Sequence, residues 1–255
     1  RHIRLNPGDA VMQLKSMARS LGAVDSGIAR IQPEYIYTHV GRGQGAYGDP
    51  IHLDHPRALV FAVEMNYSRV HQAPRPAVTL ESAEQYLQSA HIAITIAEYI
   101  RSLGYSARAH VDGNYRLMLP GLASDAGLGE VGRVGYLIHP RYGARIRLAA
   151  VSTSLPLIAD TPRVFGVQDF CAICKKCAAN CPAGAISFGE KKNVRGVVKW
   201  STNQEACYRY WRCIGTDCGL CMRVCPYSKP DTAVHNIIRN RIAHSAAARR
   251  LGVYA

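Results

Sequence analysis

The sequence predicts an α+β fold: a helix-and-strand layer domain over residues 1–165, followed over residues 166–255 by a small cysteine-rich domain. Two observations carry this prediction. Before residue 165, stretches with helical periodicity alternate with short apolar stretches typical of strands. All nine cysteines of the chain come after residue 170. Because 255 residues can form two modest cores, this shift in composition marks a domain boundary.

The layer domain begins with a predicted helix over residues 8–21, which ends at Gly22. One face of this helix collects the apolar side chains Val11, Leu14, Met17 and Leu21. Residues 57–65 (RALVFAVEM) have the composition of a buried strand. Further strands are expected near 106–111, 134–139 and 145–154, separated by glycine-containing turns.

A long helix is predicted from about Ser82 to Leu103, with Thr79 or Ser82 as its N-cap and Gly104 at its end. Tyr86 lies near its start. The expected apolar stripe of this helix runs beside Tyr86 and consists of Leu87, Ala90, Ile94 and Ala97.

Dinucleotide and phosphate sites are not indicated. No G-x-G-x-x-G motif follows a strand, and no phosphate-loop lysine follows Gly41, Gly43 and Gly45. These glycines are therefore interpreted as a flexible turn.

The first cysteine group has the spacing C-x2-C-x2-C-x3-C-P, formed by Cys171, Cys174, Cys177 and Cys181 before Pro182. Such spacing lets three sulfurs of one loop face one iron–sulfur cluster, while the fourth ligates a second cluster. The second group, Cys218, Cys221 and Cys225 before Pro226, repeats the pattern without its first member.

Two 4Fe-4S clusters with exchanged ligands are therefore predicted. Cluster one takes Cys171, Cys174, Cys177 and Cys225, and cluster two takes Cys181, Cys207, Cys218 and Cys221. The upstream candidates for the missing ligand are Cys207 and Cys213, and Cys207 is chosen, which leaves Cys213 as a free thiol. Structural zinc is the alternative reading of such a group.

The formal net charge is +13 with neutral cysteines. Two oxidised clusters with their thiolates carry about −2 each, which leaves about +9. Such a surface suits nucleic acid, anionic lipid or an acidic redox partner, but it is equally explained by a solvated arginine-rich surface. No apolar run reaches the roughly 18 residues of a membrane span.

Several segments of the chain resemble the cobalamin-dependent reductive dehalogenases. They are AEYIRSLGY, AGLGEVGR and GARIRL, followed by the two cysteine groups, with a fainter likeness in LKSMARSLGAVDSGIARI. The family is related to epoxyqueuosine reductase. The resemblance implies an α/β layer domain that binds a base-off corrinoid against the ferredoxin-like domain, without a cobalt ligand from any of the ten histidines.

The resemblance also implies three functional residues. Tyr86 is the proton donor, Asn114 orients the phenol or the substrate, and Arg147 stabilises the phenolate. Tyr105, Tyr115 and Arg116 are the substitutes if the register differs. The ordinary alternatives are a helix-surface tyrosine, a turn-forming asparagine and a solvated strand arginine.

The AGLGEVGR segment supplies the residues assigned to corrinoid contact, Gly127, Gly129 and Arg133. The implied reaction is the reduction of an organohalide, with electrons from an external donor (a ferredoxin, a flavodoxin or a quinol-linked protein). Respiratory members of the family sit on the outer face of the membrane through a small anchor subunit after export, whereas others stay cytoplasmic. Typical members are longer at both ends, so the chain is either a fragment or a minimal member.

Two other functions remain alternatives. One is an epoxyqueuosine reductase-like enzyme acting on tRNA, which the basic charge favours. The sequence lacks that family's aspartate-bearing motif and its helical-repeat tail, which disfavours a nucleic-acid partner. The other is a non-enzymatic iron–sulfur subunit that only carries electrons.

Overall fold

The computed structural model describes residues 3–194 and 196–253 and confirms the α+β class. The helices are α1 (Pro7–Ser20), α2 (Tyr67–Val70), α3 (Ala77–Ser102), α4 (Leu119–Asp125), α5 (Val167–Cys174), α6 (Lys176–Ala179), α7 (Gln204–Ile214), α8 (Leu220–Arg223), α9 (Ala233–His244) and α10 (Ala246–Gly252). The strands are β1 (Asp25–Arg30), β2 (Arg57–Glu64), β3 (Ala107–His110), β4 (Glu130–Val131), β5 (Leu137–Ile138), β6 (Ile146–Thr153), β7 (Lys192–Val194) and β8 (Val197–Lys199). Two 3₁₀ turns cover Pro33–Tyr35 and Pro226–Ser228.

The chain packs as two compact units, each built from separate segments. The first unit comprises Arg1–Glu64, Glu84–Leu128 and Arg147–Arg163. The second comprises Met65–Ala83, Gly129–Ile146 and Val164–Ala255. The second unit therefore recruits two segments from before residue 165, and a domain boundary after that residue stays a prediction.

The first unit is built on a four-stranded sheet with the order β1-β2-β6-β3. β1 pairs antiparallel with β2, and β3 pairs antiparallel with β6, with His110 opposite Ala150. The strands predicted near 106–111 and 145–154 are thus confirmed. Side chains of α1, α3, β2 and β6 form one apolar core, which includes Leu14, Phe61 and Val151.

The sequence explains α1 directly. Asn6 caps the helix by accepting a hydrogen bond of 2.9 Å from Gly8 N, and Pro7 occupies the first turn, where its missing N–H costs nothing. The buried face contains Leu14, as predicted.

Two predictions for α3 are wrong. The helix starts at Ala77, five residues before the expected Ser82, so Thr79 and Ser82 lie inside it and neither caps it. Thr79 instead accepts a hydrogen bond of 3.0 Å from Asp217 N. The predicted apolar stripe is also misplaced, because Leu87 and Ile94 are 75% and 52% exposed. The buried stripe runs through Ile92, Ala93, Ile96, Ala97 and Ile100.

β1 was not predicted because its sequence, DSGIAR, has few strand-forming residues. Its glycine is needed for packing, because a Cβ atom at Gly27 would lie 2.1 Å from the carbonyl oxygen of Ala126. The backbone at Ala126, just after α4, can therefore approach β1 this closely only because Gly27 has no side chain.

The second unit has its own apolar core, which includes Val167, Phe170, Met222 and Tyr227. Gly166 directly precedes helix α5, and the buried carboxylate of Glu130 accepts hydrogen bonds from Phe165 N (2.8 Å) and Val167 N (3.1 Å). These bonds satisfy backbone N–H groups at the start of the helix that carries Cys171 and Cys174. Within the described ranges, no helix has both the length and the apolar character that crossing a bilayer requires.

Candidate functional sites

The first unit brings Arg147 against Tyr86. Tyr86 lies half-buried on α3, and Arg147 lies half-buried on β6. The guanidinium carbon of Arg147 is 4.9 Å from the centroid of the Tyr86 ring. A cation at this distance from an aromatic face contributes about 0.5–2 kcal/mol and fixes the ring orientation. Arg147 is thus held against Tyr86, while a functional role for either residue stays a prediction.

Asn114 lies in the turn after β3, where Gly113 adopts a left-handed conformation with φ of 74°. Its backbone N–H donates to Val111 O at 2.9 Å, and its side-chain Oδ1 accepts from Arg108 Nη2 at 2.7 Å. The glycine-rich loop packs on this turn. A Cβ atom at Gly43 would lie 2.5 Å from Gly113 O and 2.9 Å from Asn114 Oδ1. Gly43 therefore lets the glycine-rich loop approach the turn at Asn114 closely, in addition to forming a turn of its own.

Tyr115 follows Asn114 and lies close enough to Tyr86 and Arg147 to interact electrostatically with both. Burial raises the pKa of Tyr115, and Tyr86 and Asp112 raise it further, while Arg147 acts in the opposite direction. The phenol of Tyr115 therefore stays protonated and can serve as a hydrogen-bond donor. Sequence reasoning named Tyr115 only as a substitute.

His110 anchors the turn and was missed by the sequence analysis. Its ring is fully buried, Nδ1 accepts from Arg116 N at 3.1 Å, and Nε2 lies 2.8 Å from Ser152 Oγ. This pattern assigns the proton to Nε2. Burial lowers the pKa of His110 to about 3, with smaller effects from Arg108, His55 and Arg116, so the ring is neutral. The signal was present in the alternation of β3. Ala107 and Ala109 pack on the core, while Arg108 and His110 share the other face.

In the second unit, the four thiols predicted for cluster one lie close together. Burial raises the pKa of Cys177 to about 12, and the neighbouring Cys225 and Cys174 add like-charge repulsion. The pKa of Cys171 is also raised, first by burial and then by Cys225, Cys177 and Cys174 among its neighbours. The four thiols border one small pocket, which Cys221 and Tyr227 also line.

The four thiols predicted for cluster two form the other group. Burial raises the pKa of Cys207, and Cys181 and Cys218 raise it further. Burial likewise raises the pKa of Cys221, and Cys177, Cys218 and Cys207 add to it. Cys213 is exposed. The structure thus places Cys207 with the second group, while the division of ligands stays a prediction.

These groups fit clusters by the chemistry of their donors. Every thiol in them is partly buried, and the backbone N–H of Ala185 donates to Cys181 Sγ at 3.3 Å. N–H donors to the sulfurs are a feature of cluster sites and tune their reduction potentials. Among the described residues, no three His, Cys, Asp or Glu side chains converge as on one metal ion. The ligands of a four-iron cluster are spread over its irons and need not converge in that way.

The residues predicted to contact the corrinoid have packing roles. A Cβ atom at Gly127 would lie 2.7 Å from Thr161 O, and one at Gly129 would lie 2.3 Å from Ile138 O. Arg133 is fully buried and donates to four carbonyl oxygens, and its guanidinium stacks on Trp200 at 4.6 Å. Those acceptors belong to Cys171, Ala172, Ser187 and Gly189. A corrinoid contact by Gly127, Gly129 or Arg133 stays a prediction.

The class of the second unit follows from a family comparison. Residues 170–229 match the family model of a 4Fe-4S dicluster domain. The prediction of an iron–sulfur, ferredoxin-like segment is confirmed, and the match favours it over structural zinc.

The relatives extend the comparison to most of the chain. Tetrachloroethene reductive dehalogenase of Desulfitobacterium hafniense is 36% identical over 192 residues, which cover 71% of this chain and 34% of that protein. The enzyme of the same name from Sulfurospirillum multivorans is 28% identical over 265 residues, covering 91% of this chain and 52% of that protein. A catabolic reductive dehalogenase solved with 3-bromo-4-hydroxybenzoic acid superposes with a TM-score of 0.89 at 32% identity, covering 98% of this chain and 36% of that one.

The chain is homologous to the reductive dehalogenases and spans from about a third to about half of the length of these relatives. Epoxyqueuosine reductase is a more distant relative. The protein of that name from Listeria monocytogenes is 31% identical over 115 residues, 42% of this chain and 29% of that protein. A solved epoxyqueuosine reductase shares the fold at a TM-score of 0.60 and 18% identity, covering 92% of this chain and 70% of that one.

Proposed function

We propose that this protein is a corrinoid-dependent reductive dehalogenase in which two 4Fe-4S clusters deliver electrons from an external donor and Tyr86 protonates the product. The homology to reductive dehalogenases supports the reaction class. The observation that carries the proposal is the stacking of Arg147 on Tyr86 at 4.9 Å. This contact brings together a proton donor on α3 and a cation on β6, both in the first unit, which contains none of the cysteines.

The reaction balances as R–X + 2e⁻ + H⁺ → R–H + X⁻. A corrinoid, when bound, supplies the reductive cleavage of the carbon–halogen bond. Clusters held by the two groups of thiols would supply both electrons, and the phenol of Tyr86 supplies the proton. Arg147 stabilises the phenolate left on Tyr86 because its positive charge lies against the ring. Solvent then restores the proton.

Two histidines of the first unit, His55 just before β2 and His110 on β3, fit a cofactor held without a protein ligand. His55 contacts Ser152 Oγ through Nδ1 at 2.7 Å and Ser106 Oγ through Nε2 at 3.0 Å. The two ring nitrogens of His110 are hydrogen-bonded as well. We expect the Co(II) EPR spectrum of the loaded protein to lack nitrogen splitting. A clear nitrogen triplet would contradict a base-off cofactor without a histidine ligand.

The role of Tyr86 is tested with substitutions that remove one functional group and keep most of the side-chain volume. Tyr86→Phe removes the proton and keeps the ring, so turnover should fall about 100-fold, the usual scale for a lost general acid. Arg147→Lys keeps the charge and loses the planar guanidinium, which should also lower turnover. Because the arginine acts through the phenol, the double variant should be little worse than Tyr86→Phe.

Tyr99→Phe, a partly buried tyrosine on the same helix, is the control and should keep wild-type turnover. The assays use reduced methyl viologen with tetrachloroethene and with 3-bromo-4-hydroxybenzoic acid, and iron and cobalt contents are matched between variants. Wild-type turnover in Tyr86→Phe would remove the assignment of the proton donor.

An epoxyqueuosine reductase-like activity is the second candidate, favoured by the shared fold and by the net charge of +13. Reduction of an epoxyqueuosine-containing tRNA stem-loop, without dehalogenation of either organohalide, would replace the first proposal with this one. A protein that retains no corrinoid after reconstitution would instead be an electron-transfer subunit.

A further inference from the structure

The contact between Arg108 and Asn114 determines which way the Asn114 amide faces. Arg108 Nη2 lies 2.7 Å from the Asn114 side-chain oxygen. A guanidinium can only donate hydrogen bonds, so the atom that it contacts must be the carbonyl oxygen of the amide. The usual ambiguity between oxygen and nitrogen in an asparagine side chain is therefore absent at this position.

We propose that Arg108 is a positioning residue that holds Asn114 by its oxygen, so that the –NH₂ group of Asn114 is offered to the reaction as a hydrogen-bond donor. This inference rests on the proposed function and deepens it, because the role of Asn114 was left open between orienting the phenol and orienting the substrate. A donor can bind the oxygen of a phenolate or an electronegative group of the substrate, but it cannot accept a proton.

The surroundings of Arg108 show that this contact is built into the fold. Arg108 lies half-buried on β3, on the same face as His110. Its Nε is buried without a hydrogen-bond partner, an arrangement that costs about 1–3 kcal/mol. Among the described residues, the bond to Asn114 is the side-chain hydrogen bond that Arg108 makes. The orientation of the Asn114 amide explains why a half-buried guanidinium is held against a single neutral side chain.

The oxygen of Asn114 is also confined from the side of the glycine-rich loop. A Cβ atom at Gly43 would lie 2.9 Å from it. The salt bridge of 2.9 Å between Arg42 and Asp112 joins the same loop to the same turn. The turn is thus held by β3, through His110 and Arg108, and by the loop. Among the residues that the structure describes, none makes a hydrogen bond to the amide nitrogen of Asn114.

The experiment separates the two ends of the amide. Asn114→Asp keeps an oxygen for Arg108 and replaces the –NH₂ group by a second acceptor, so kcat should fall about 100-fold, as for the loss of an oriented donor. Arg108→Met keeps volume and removes the donor to Asn114, so kcat should fall at least about 10-fold because the amide can rotate. Arg108→Lys, which can still donate, should recover most of that loss. The pair Arg108→Met and Asn114→Asp should be no worse than Asn114→Asp alone.

A readout independent of turnover is the side-chain amide of Asn114 in ¹⁵N-labelled protein, assigned by its disappearance in Asn114→Asp. The signal should shift in Arg108→Met and stay unchanged in the control Arg30→Met, which alters an exposed arginine at the end of β1. If Arg108→Met leaves both the signal and kcat unchanged, the inference is overturned, as it is by wild-type kcat in Asn114→Asp.

These outcomes are distinct from a failure of the proposed function. If Tyr86→Phe is inactive while Arg108→Met matches the wild type, only the positioning role is lost. If the wild-type protein dehalogenates nothing, the amide signal still shows whether Arg108 holds Asn114, and an unchanged signal in Arg108→Met overturns the inference.

Discussion

The two cysteine segments of the second unit have the same local structure with different residues. Cys174–Cys181 and Cys218–Cys225 share the spacing C-x2-C-x3-C before a proline. In both, the backbone N–H two residues after the first cysteine donates to its thiol. Lys176 N–H lowers the pKa of Cys174 in this way, and Leu220 N–H lowers that of Cys218, each against the larger effect of burial.

The residue after the first cysteine shows what sets this structure. Lys175 and Gly219 both adopt the left-handed conformation, with φ of 52° and 63°. Among the described residues, Lys175 is the only one besides glycine with a positive φ. A lysine in this conformation costs about 1 kcal/mol, so the geometry of the thiols, and not the preference of the residue, determines the turn.

The segments differ in where their remaining ligand lies. Cys171 precedes Cys174 on the same helix, α5, whereas the second segment is assigned Cys207 from α7.

The largest predicted effect follows from this difference in the position of the remaining ligand. Cys207→Ser should remove about four of eight irons per chain, because cluster two loses a thiolate, and Cys213→Ser should remove none. Iron analysis of anaerobically reconstituted protein gives the answer, and the opposite result would make Cys213 the ligand.

The next effect tests the packing of Gly219. Gly219→Ala should lower stability by about 2 kcal/mol, because a left-handed alanine is strained and its methyl group would crowd its neighbours. Those neighbours are Val78 Cγ2 at 3.0 Å and Ala73 Cβ at 3.2 Å. Gly215→Ala is the matched control, since Gly215 has φ of 68° with no atom within 4 Å of its added Cβ, and it should lose only about 1 kcal/mol. Equal losses by thermal unfolding would show that packing contributes nothing.

In the first unit, His110 is expected to make the stability of the protein depend on pH. The pKa of His110 is about 3 in the folded protein against an ordinary value of 6.5. The unfolded chain therefore binds a proton that the folded chain does not, and stability falls as the pH drops from 6.5 toward 3. The slope is at most about 1.4 kcal/mol per pH unit.

His110→Asn should flatten this slope, because an asparagine can accept from Arg116 N and donate to Ser152 without titrating. Urea unfolding at pH 7.5 and at pH 5 measures the change in stability for both proteins. An unchanged difference in His110→Asn would assign the acid sensitivity to other groups.

The smallest effect has the opposite sign to the others. Lys175→Gly should stabilise the protein by about 0.5–1 kcal/mol, because strain is relieved and only part of the gain is offset by the flexibility of glycine. Lys176→Gly, at the start of α6, should instead lose about 0.5–1 kcal/mol. A lower melting temperature for Lys175→Gly would mean that the lysine side chain stabilises the loop by more than its strain costs.

Sequence reasoning predicted the elements whose pattern is set by burial on one side or by metal-ligand spacing. It placed β2, β6, α1 and the cysteine segments because apolar periodicity and repeated spacing are local signals. It misplaced the buried face of α3, whose outer side carries the exposed apolar residues Leu87 and Ile94. From composition alone, an exposed helix face that carries leucine and isoleucine cannot be distinguished from the buried face.

The candidate site was predictable only in part. The resemblance to a family predicted functional roles for Tyr86, Asn114 and Arg147, and the structure places Arg147 on the Tyr86 ring. Arg108 and His110 were missed because their role depends on contacts with residues of the following turn and of β6. Their alternation with two alanines on β3 predicts a shared face but not what that face holds.

The central claim is that one chain holds two clusters and a corrinoid. The measurement that tests it most directly is the content of iron, acid-labile sulfide and cobalt per chain after anaerobic reconstitution with a corrinoid. We predict about eight irons, about eight sulfides and about one cobalt. Zinc in place of iron, or about four irons in a fully folded protein, would contradict the two clusters. Iron without cobalt would contradict the corrinoid.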